Sequence, residues 1–400
     1  MIFIISILQP SNKMIRKIKH LIFSIFLMII SSCTSGENSK IPQAVYEKEQ
    51  EAIEAIKAQY PNADFEKDDN GFVTLVAIDS LSNGELPIEL QRFDNLKIVL
   101  FNDGSLSELP EWFSKLPLSE VYLGNNNFNQ FPKQLLSMSS LSLIVLRSNP
   151  IVSIDDQLYF PNLQTFWLPN TKITKFPIIR QDPNSPAIDF HFKETLIDSI
   201  PDEISSMKIK RIWMSDCNNL TYISPNLGQQ DSLEELNFSF HAEFGTAFYN
   251  RNSIPRTIPI PEEIKHCKNL KNLDLEYNEL TSIPDYVFEI PSLEILGFRG
   301  NKISEIPEKI SKLQKLRRIY VTNNQLKTLP KSFGKMPNLE TISVWGNAIS
   351  KENLPVEMFD IRREKKCALL LYMSNDKSYE GLPVSQEQFE RGYRWYGRQY

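Results

Sequence analysis

The chain has 400 residues, of which 41% are hydrophobic and 23% are charged, a composition typical of a folded protein rather than a disordered one. The formal net charge is −5 and charges of both signs are mixed along the chain. This argues against a nucleic-acid-binding protein, which usually carries a basic stripe. Four cysteines are too few for a scaffold held by disulfides.

The first forty residues predict a segment that directs export. A basic segment at residues 16–19 precedes an apolar run at residues 21–30, which is too short to span a bilayer comfortably. Basic residues, a short apolar run and small residues before a cleavage point are typical of a secretory signal peptide. The residues before Met14 do not fit this pattern, so either Met1 or Met14 is the true start.

The end of this segment, Ile30-Ser31-Ser32-Cys33, resembles the lipobox of bacterial lipoproteins. The resemblance implies that the chain is cut just before Cys33 and that the thiol of Cys33 carries a lipid. Residues 1–32 are then a signal peptide and residues 33–43 a tether. The protein is expected in the bacterial cell envelope, bound by its lipid to the outer membrane or the cell surface. The alternative is a chance cysteine beside an ordinary signal peptide.

A helix is predicted next, at residues 44–60. Ile53, Ile56 and Tyr60 lie near one face of it, and Pro61 ends it. We expect residues 44–72 to form an N-terminal cap over the repeats that follow, because the open end of a repeat array needs a cover.

A repeat with a step of 23 residues dominates the rest of the chain. Four regular copies begin at Leu270, Leu293, Leu316 and Leu339. Each copy has apolar residues at its first, fourth and sixth positions and Asn at its ninth, and the first three have Pro at the fifteenth. Less regular copies extend back to residue 73, so residues 73–355 hold about twelve copies in one frame.

This pattern resembles the leucine-rich-repeat family, in the class with Leu-Pro after the strand and turn, over roughly 70% of the chain. The resemblance implies an α/β repeat solenoid with a curved parallel sheet on its concave face. Its convex side should be irregular, 3-10 or short helical. The first, fourth and sixth positions should point inward, and the ninth-position Asn should form a hydrogen-bonded ladder between coils. Thr171, Thr195 and Cys217 replace this Asn in the middle copies.

One copy breaks the rule, because the step from Leu233 to Leu270 is 37 residues. The excess lies at residues 239–257, which are rich in aromatic side chains. A loop of this length inside a compact repeat is usually functional or disordered. The alternative is a loop folded onto its own coil without a ligand. After the repeats, residues 356–400 are predicted to form a C-terminal cap or tail.

A candidate binding surface follows from the third, fifth and seventh positions, which should point out of the concave face. Trp167, His191 and Trp213 share one position in three successive copies, so their rings should stack into a ribbon, with cations beside them. Trp, Tyr and Arg are enriched at binding hot spots. The alternative is that the rings only shield the sheet. The predicted ligand-binding residues are Tyr122, Arg147, Trp167, His191, Lys193, Arg211, Trp213, Arg299, Arg318, Tyr320 and Trp345.

Motifs for catalysis are missing from the sequence. It contains no glycine-rich phosphate loop, no His-Glu metal motif and no nucleophile elbow. We therefore expect neither an enzyme nor a cofactor or metal site. The leading hypothesis is a monomeric envelope lipoprotein that binds a protein or peptide on its concave face. A glycan-binding lipoprotein is the alternative, since stacked Trp rings also suit sugars, and a structural envelope component is a third.

Overall fold

The computed structural model describes residues 42–81, 84–155, 158–240, 257–350, 353–357 and 368–370. Several predicted features therefore lie outside the described residues: the signal peptide, Cys33 and the tether up to residue 41, residues 241–256 of the insert, and most of the predicted C-terminal cap.

Strands of three to five residues recur along the chain and build one large, almost entirely parallel sheet. The eighteen strands of the described residues are β1 Asp64–Lys67, β2 Val73–Ala77, β3 Ile98–Leu100, β4 Glu120–Tyr122, β5 Leu143–Val145, β6 Leu158–Tyr159, β7 Thr165–Trp167, β8 Ile179–Arg180, β9 Ile188–His191, β10 Ser199–Ile200, β11 Ile209–Trp213, β12 Tyr222–Ile223, β13 Glu235–Asn237, β14 Asn272–Asp274, β15 Ile295–Gly297, β16 Arg318–Tyr320, β17 Thr341–Ser343 and β18 Ala368–Leu370. The large sheet has the order β1-β2-β3-β4-β5-β7-β9-β11-β13-β14-β15-β16-β17-β18. All of its pairs are parallel except β1 with β2. The predicted solenoid is confirmed.

A single apolar core fills the coils behind this sheet. The middle residues of neighbouring strands, such as Ile144, Phe166 and Phe190, pair in register and are fully buried. The core runs without a break from Ala52 in the N-terminal helix to Leu354. Because each coil buries its apolar face only against its neighbours, the stability of the solenoid is a near-neighbour property.

The predicted Asn ladder is present inside the coils. Asn301 shows the pattern: its Nδ2 donates to the carbonyl oxygens of Leu275 and Phe298, both at 2.9 Å. In the irregular middle copies, Cys217 takes the same place and its thiol donates to the carbonyl of Phe192 at 3.0 Å. The substitution therefore preserves a link to the preceding coil.

Short 3-10 helices form the side of the solenoid opposite the sheet, as predicted. In the described part of the chain they are Ile88–Arg92, Glu111–Lys115, Lys133–Ser137, Asp202–Ser206, Pro225–Gln229, Glu262–His266, Asp285–Glu289, Glu308–Lys312 and Lys331–Lys335. Eight of these nine directly follow a proline, and the helix at Pro225–Gln229 begins with one. The repeated proline thus caps the helical turn: its backbone is extended, and its carbonyl oxygen accepts the first hydrogen bond of the turn, as that of Pro110 does from the N–H of Phe113 at 2.9 Å.

The N-terminal end is covered by the helix α1, Gln43–Gln59, and by strand β1. The helix was predicted, but the strand was not. β1 and β2 form an antiparallel hairpin whose turn contains Gly71 at φ +92°, a backbone conformation that favours glycine. Inside the cap, fully buried Glu49 accepts a hydrogen bond from the backbone N–H of Val73 at 3.0 Å, which ties α1 to the first repeat.

Two further features depart from a uniform array. Two small parallel sheets, β6 with β8 and β10 with β12, join neighbouring coils in the middle of the solenoid. At the other end, β18 pairs in parallel with β17, so the sheet continues one strand beyond the twelve predicted copies.

Candidate binding face of the sheet

Side chains on each strand alternate between the core and the opposite face of the sheet, here called the outer face. In β7, Phe166 is fully buried in the core, whereas Thr165 and Trp167 are half-buried on the outer face. In-register pairing lines up equivalent residues of successive strands. The row that contains Trp167, here called the central row, consists of Ala77, Leu100, Tyr122, Val145, Trp167, His191, Trp213, Asn237, Asp274, Gly297, Tyr320, Ser343 and Leu370.

The predicted aromatic ribbon, Trp167, His191 and Trp213, is brought into contact. The ring centroids of Trp167 and His191 are 5.2 Å apart at an interplanar angle of 34°, and those of His191 and Trp213 are 4.4 Å apart at 65°. The rings are therefore tilted or edge-on, not stacked in parallel, and aromatic quadrupoles favour edge-to-face packing. Burial, aided by the charge of Arg211, lowers the pKa of His191 to about 3, so this ring is neutral near pH 7.

Arg211 and Lys193, the two cations beside the ribbon, each contact carboxylates. Arg211 lies between two of them, with Nη1 at 2.9 Å from Oδ2 of Asp189 and Nε at 3.6 Å from Oε2 of Glu235. The ammonium of Lys193 is 3.1 Å from a carboxylate oxygen of Glu194. Their positive charge is balanced locally, by carboxylates of the two adjacent strands for Arg211 and by the next residue of the chain for Lys193.

Tyr122 and Arg147 lie on the N-terminal side of the ribbon. Val145, only 3% exposed, separates Tyr122 from Trp167 in the central row. The hydroxyl of Tyr122 donates to Glu120 at 2.8 Å, and burial raises the pKa of this tyrosine well above its usual value. The side chain of Arg147 crosses Gly124, where a Cβ would come within 2.8 Å of its Cγ.

An apolar cluster on the outer face was missed in the sequence. Leu75, Ala77 and Leu100 are 7%, 2% and 8% exposed and pack with half-buried Ile98 and Tyr122, apart from the main core. The signal was available, because these residues hold the outward positions of the first two copies. The central row is therefore apolar or aromatic from the N-terminal end of the sheet up to the ribbon, whereas Glu120 and Arg147 lie beside it.

An acidic patch, Glu235, Asp274 and Glu276, lies on the other side of the ribbon and was also left out of the predicted site. Asn272 donates to Glu235 at 2.7 Å, and Asn237 donates to Asp274 at 3.2 Å. Burial raises the pKa of Glu235 to about 7 against the opposing effect of Arg211. The pKa of Glu276 is also raised, first by burial and then by the charge of Asp274.

The remaining predicted residues lie beyond the acidic patch. The guanidinium of Arg299 is 5.6 Å from the ring centre of Tyr277, and Tyr320 is two strands from Asp274 in the central row. Arg318 Nε is 3.8 Å from Oε2 of Glu340. Trp345 follows β17, is 40% exposed, and stands five strand spacings, about 24 Å, from the ribbon. The structure thus does not gather all predicted residues into one site.

The described residues provide neither a reactive cysteine nor a metal site nor a helix able to span a membrane. Cys217 and Cys267 are buried, and burial raises the pKa of their thiols to about 11 and about 12, so neither is a ready thiolate. No group of three or more potential metal ligands occurs in the described ranges. No described helix has both the length and the apolar character needed to cross a membrane.

The parallel sheet, the Asn ladder and the proline-led turns define a leucine-rich-repeat solenoid. The profile of the leucine rich repeat family matches residues 268–326 and 291–349, which are the most regular copies. No curated protein sequence matches the chain.

Solved structures share the fold. An internalin of Listeria monocytogenes has a TM-score of 0.50 at 15% identity, over 80% of this chain and 94% of the internalin chain. A leucine-rich-repeat protein of Leptospira interrogans has a TM-score of 0.47 at 22% identity, over 71% of this chain and 80% of its own. A plant peptide hormone receptor in complex with RGF2 has a TM-score of 0.43 at 19% identity, over 76% of this chain and 51% of the receptor chain. No enzyme family is indicated by these comparisons.

Proposed function

We propose that this chain is a lipoprotein of the bacterial cell envelope and that it binds a protein or peptide through the outer face of its sheet. The observation that carries the binding proposal is the aromatic ribbon. Its rings are half-buried and in mutual contact. The core behind the same strands is already filled by Phe166, Phe190 and Ile212. These aromatic side chains lie outside the core, on the open face of the sheet. Such a placement is typical of a binding surface.

The charges around the ribbon favour a protein or peptide over an acidic glycan. Arg211 and Lys193 are balanced by carboxylates, and the adjoining acidic patch would repel an anionic sugar. A neutral glycan remains the alternative, which a glycan array can test beside a crosslinking pull-down from envelope or host extracts.

The binding proposal is tested by the double substitution Trp167→Ala with Trp213→Ala. We expect the circular dichroism spectrum to be retained and the crosslinked partner to be lost. Tyr222→Ala is the matched control, because this exposed ring lies in the small β10–β12 sheet away from the outer face, and it should keep the partner. Unfolding of the double variant would mean that the rings are core, and an undiminished partner signal would remove the ribbon from the site.

The anchor is tested by metabolic labelling with palmitate. Cys33→Ser should abolish the label and release the protein from the membrane fraction. Cys217→Ser should keep the label, since this buried thiol cannot substitute for the N-terminal one. Label that persists in the Cys33→Ser variant would refute lipidation at Cys33.

A further inference from the structure

The central row changes its chemistry along the sheet. From Tyr122 to Trp213 it holds no charged side chain, since His191 is neutral near pH 7. Directly after Trp213 come Asn237 and Asp274. A ligand that crosses the strands would therefore pass from an apolar, aromatic zone to an acidic one.

The acidic zone holds more carboxyl groups than cations. Asp189 and the acidic patch supply four carboxyl groups, and the cations that act on them are Arg211, Arg299 and Lys210. Arg211 is already engaged by Asp189 and Glu235. The charge of Arg299 lowers the pKa of Glu276, but burial and the charge of Asp274 raise it by more.

Crowded, half-buried carboxylates of this kind are costly to ionise, because each loses water and repels the others. A cation that approaches Asp274 and Glu276 would relieve this cost. A negatively charged group would raise the cost.

Resting on the proposed function, we infer that the partner presents an extended peptide segment across the strands, with apolar or aromatic side chains on the ribbon and a Lys or Arg at the acidic patch.

The sheet also sets the spacing of this segment. Asp274 is two strands beyond Trp213 and four beyond Trp167 in the central row. At about 4.8 Å per strand these separations are about 10 and 19 Å, which an extended peptide covers in about three and six residues. The basic residue should therefore be three to six positions from the apolar contacts, before or after them according to the direction in which the peptide runs.

The test is a selection of displayed random twelve-residue peptides on the full chain. Enriched peptides are then measured as synthetic, fluorescein-labelled probes by anisotropy. We expect an apolar or aromatic residue with Lys or Arg three to six positions away, always on the same side of it. Glu276→Gln, which keeps the shape of the side chain, should weaken these probes about tenfold. Glu203→Gln is the control, since this exposed carboxylate lies in a 3-10 helix away from the outer face, and it should leave affinity unchanged.

The outcomes separate this inference from the proposed function. Peptides that need Trp167 and Trp213 but carry no basic residue, or that ignore Glu276→Gln, overturn the inference and leave binding at the outer face intact. If no enriched peptide depends on the two tryptophans, both are overturned. Peptides that meet both conditions, and whose affinity falls as salt rises, support the inference.

Discussion

Asn301→Ala tests the ladder that holds the coils in register. The side chain is 6% exposed and makes five hydrogen bonds. Nδ2 donates to the carbonyls of Leu275 and Phe298 and, at a longer 3.4 Å, to that of Arg299. Oδ1 accepts from the N–H groups of Asn278 and Leu280 at 3.0 and 2.9 Å. Alanine leaves these backbone groups without this partner. The four shorter bonds, at about 1 kcal/mol each, should lower the free energy of unfolding by about 4 kcal/mol.

Urea unfolding followed by circular dichroism measures this loss, and hydrogen exchange locates it. The amide protons of Asn278 and Leu280 should exchange faster, because their acceptor is gone. Asn269→Ala is the matched control: this exposed Asn makes one side-chain bond, to the carbonyl of Asp231 at 2.7 Å, and should cost under about 1 kcal/mol. Equal losses in the two variants would refute the ladder as a source of stability.

Three other changes test the register and the charges. Phe166→Ala should lower the free energy of unfolding by about 3–5 kcal/mol because its ring is fully buried, whereas Trp167→Ala should cost clearly less; equal denaturation midpoints would contradict the assigned register. Burial raises the pKa of Glu235 to about 7 from 4.5, so the folded state keeps this proton longer than the unfolded state, and stability is lost as pH rises through that window. The free energy of unfolding of Glu235→Gln should therefore rise relative to that of the parent, by up to about 2 kcal/mol, between pH 5 and 8. If urea titrations show the same difference between variant and parent at every pH, this assignment of the raised pKa is wrong. Gly228→Ala would place a Cβ 2.3 Å from the carbonyl oxygen of Glu263, so it should cost about 1–3 kcal/mol and lower Tm, and an unchanged Tm would count against this close packing of the helical turns.

The repeat frame predicted which side of each strand is buried, because strand alternation leaves no freedom once the inward positions are known. Phe166 and Trp167 are neighbours in sequence, yet they were assigned to opposite faces and lie there. The Asn ladder could be predicted in the same way, because the repeat frame fixes where the ninth position of each copy lies. The hairpin strand β1 lies outside the repeat frame, although Asn70-Gly71 between extended segments is a recognised turn signal.

The charges of the site were harder to predict, since they depend on contacts between copies. The partners of Arg211 come from the strands on either side, at Asp189 and Glu235. The contact of Glu235 with Asn272 spans 37 residues, across the irregular copy, so counting in steps of 23 does not align them. The third, fifth and seventh positions of each copy identify the cations of the outer face. They do not show which carboxylates balance the charge of these cations.

The insert adds sequence to the solenoid without disturbing the sheet. β13 and β14 pair in full register although 37 residues separate Leu236 from Leu273. Before the insert, the N–H of Phe240 donates to the carbonyl of Glu276 at 2.9 Å; after it, the N–H of Ile258 donates to Oδ1 of Asn278 at 3.4 Å. Both ends are therefore fastened to the segment that follows β14 and carries part of the acidic patch. Because only neighbouring coils stabilise each other, a repeat array can accept extra residues at one coil and keep its scaffold. The described ends of the insert, Phe240 and Ile258, therefore lie beside the surface on which we place the partner's basic side chain.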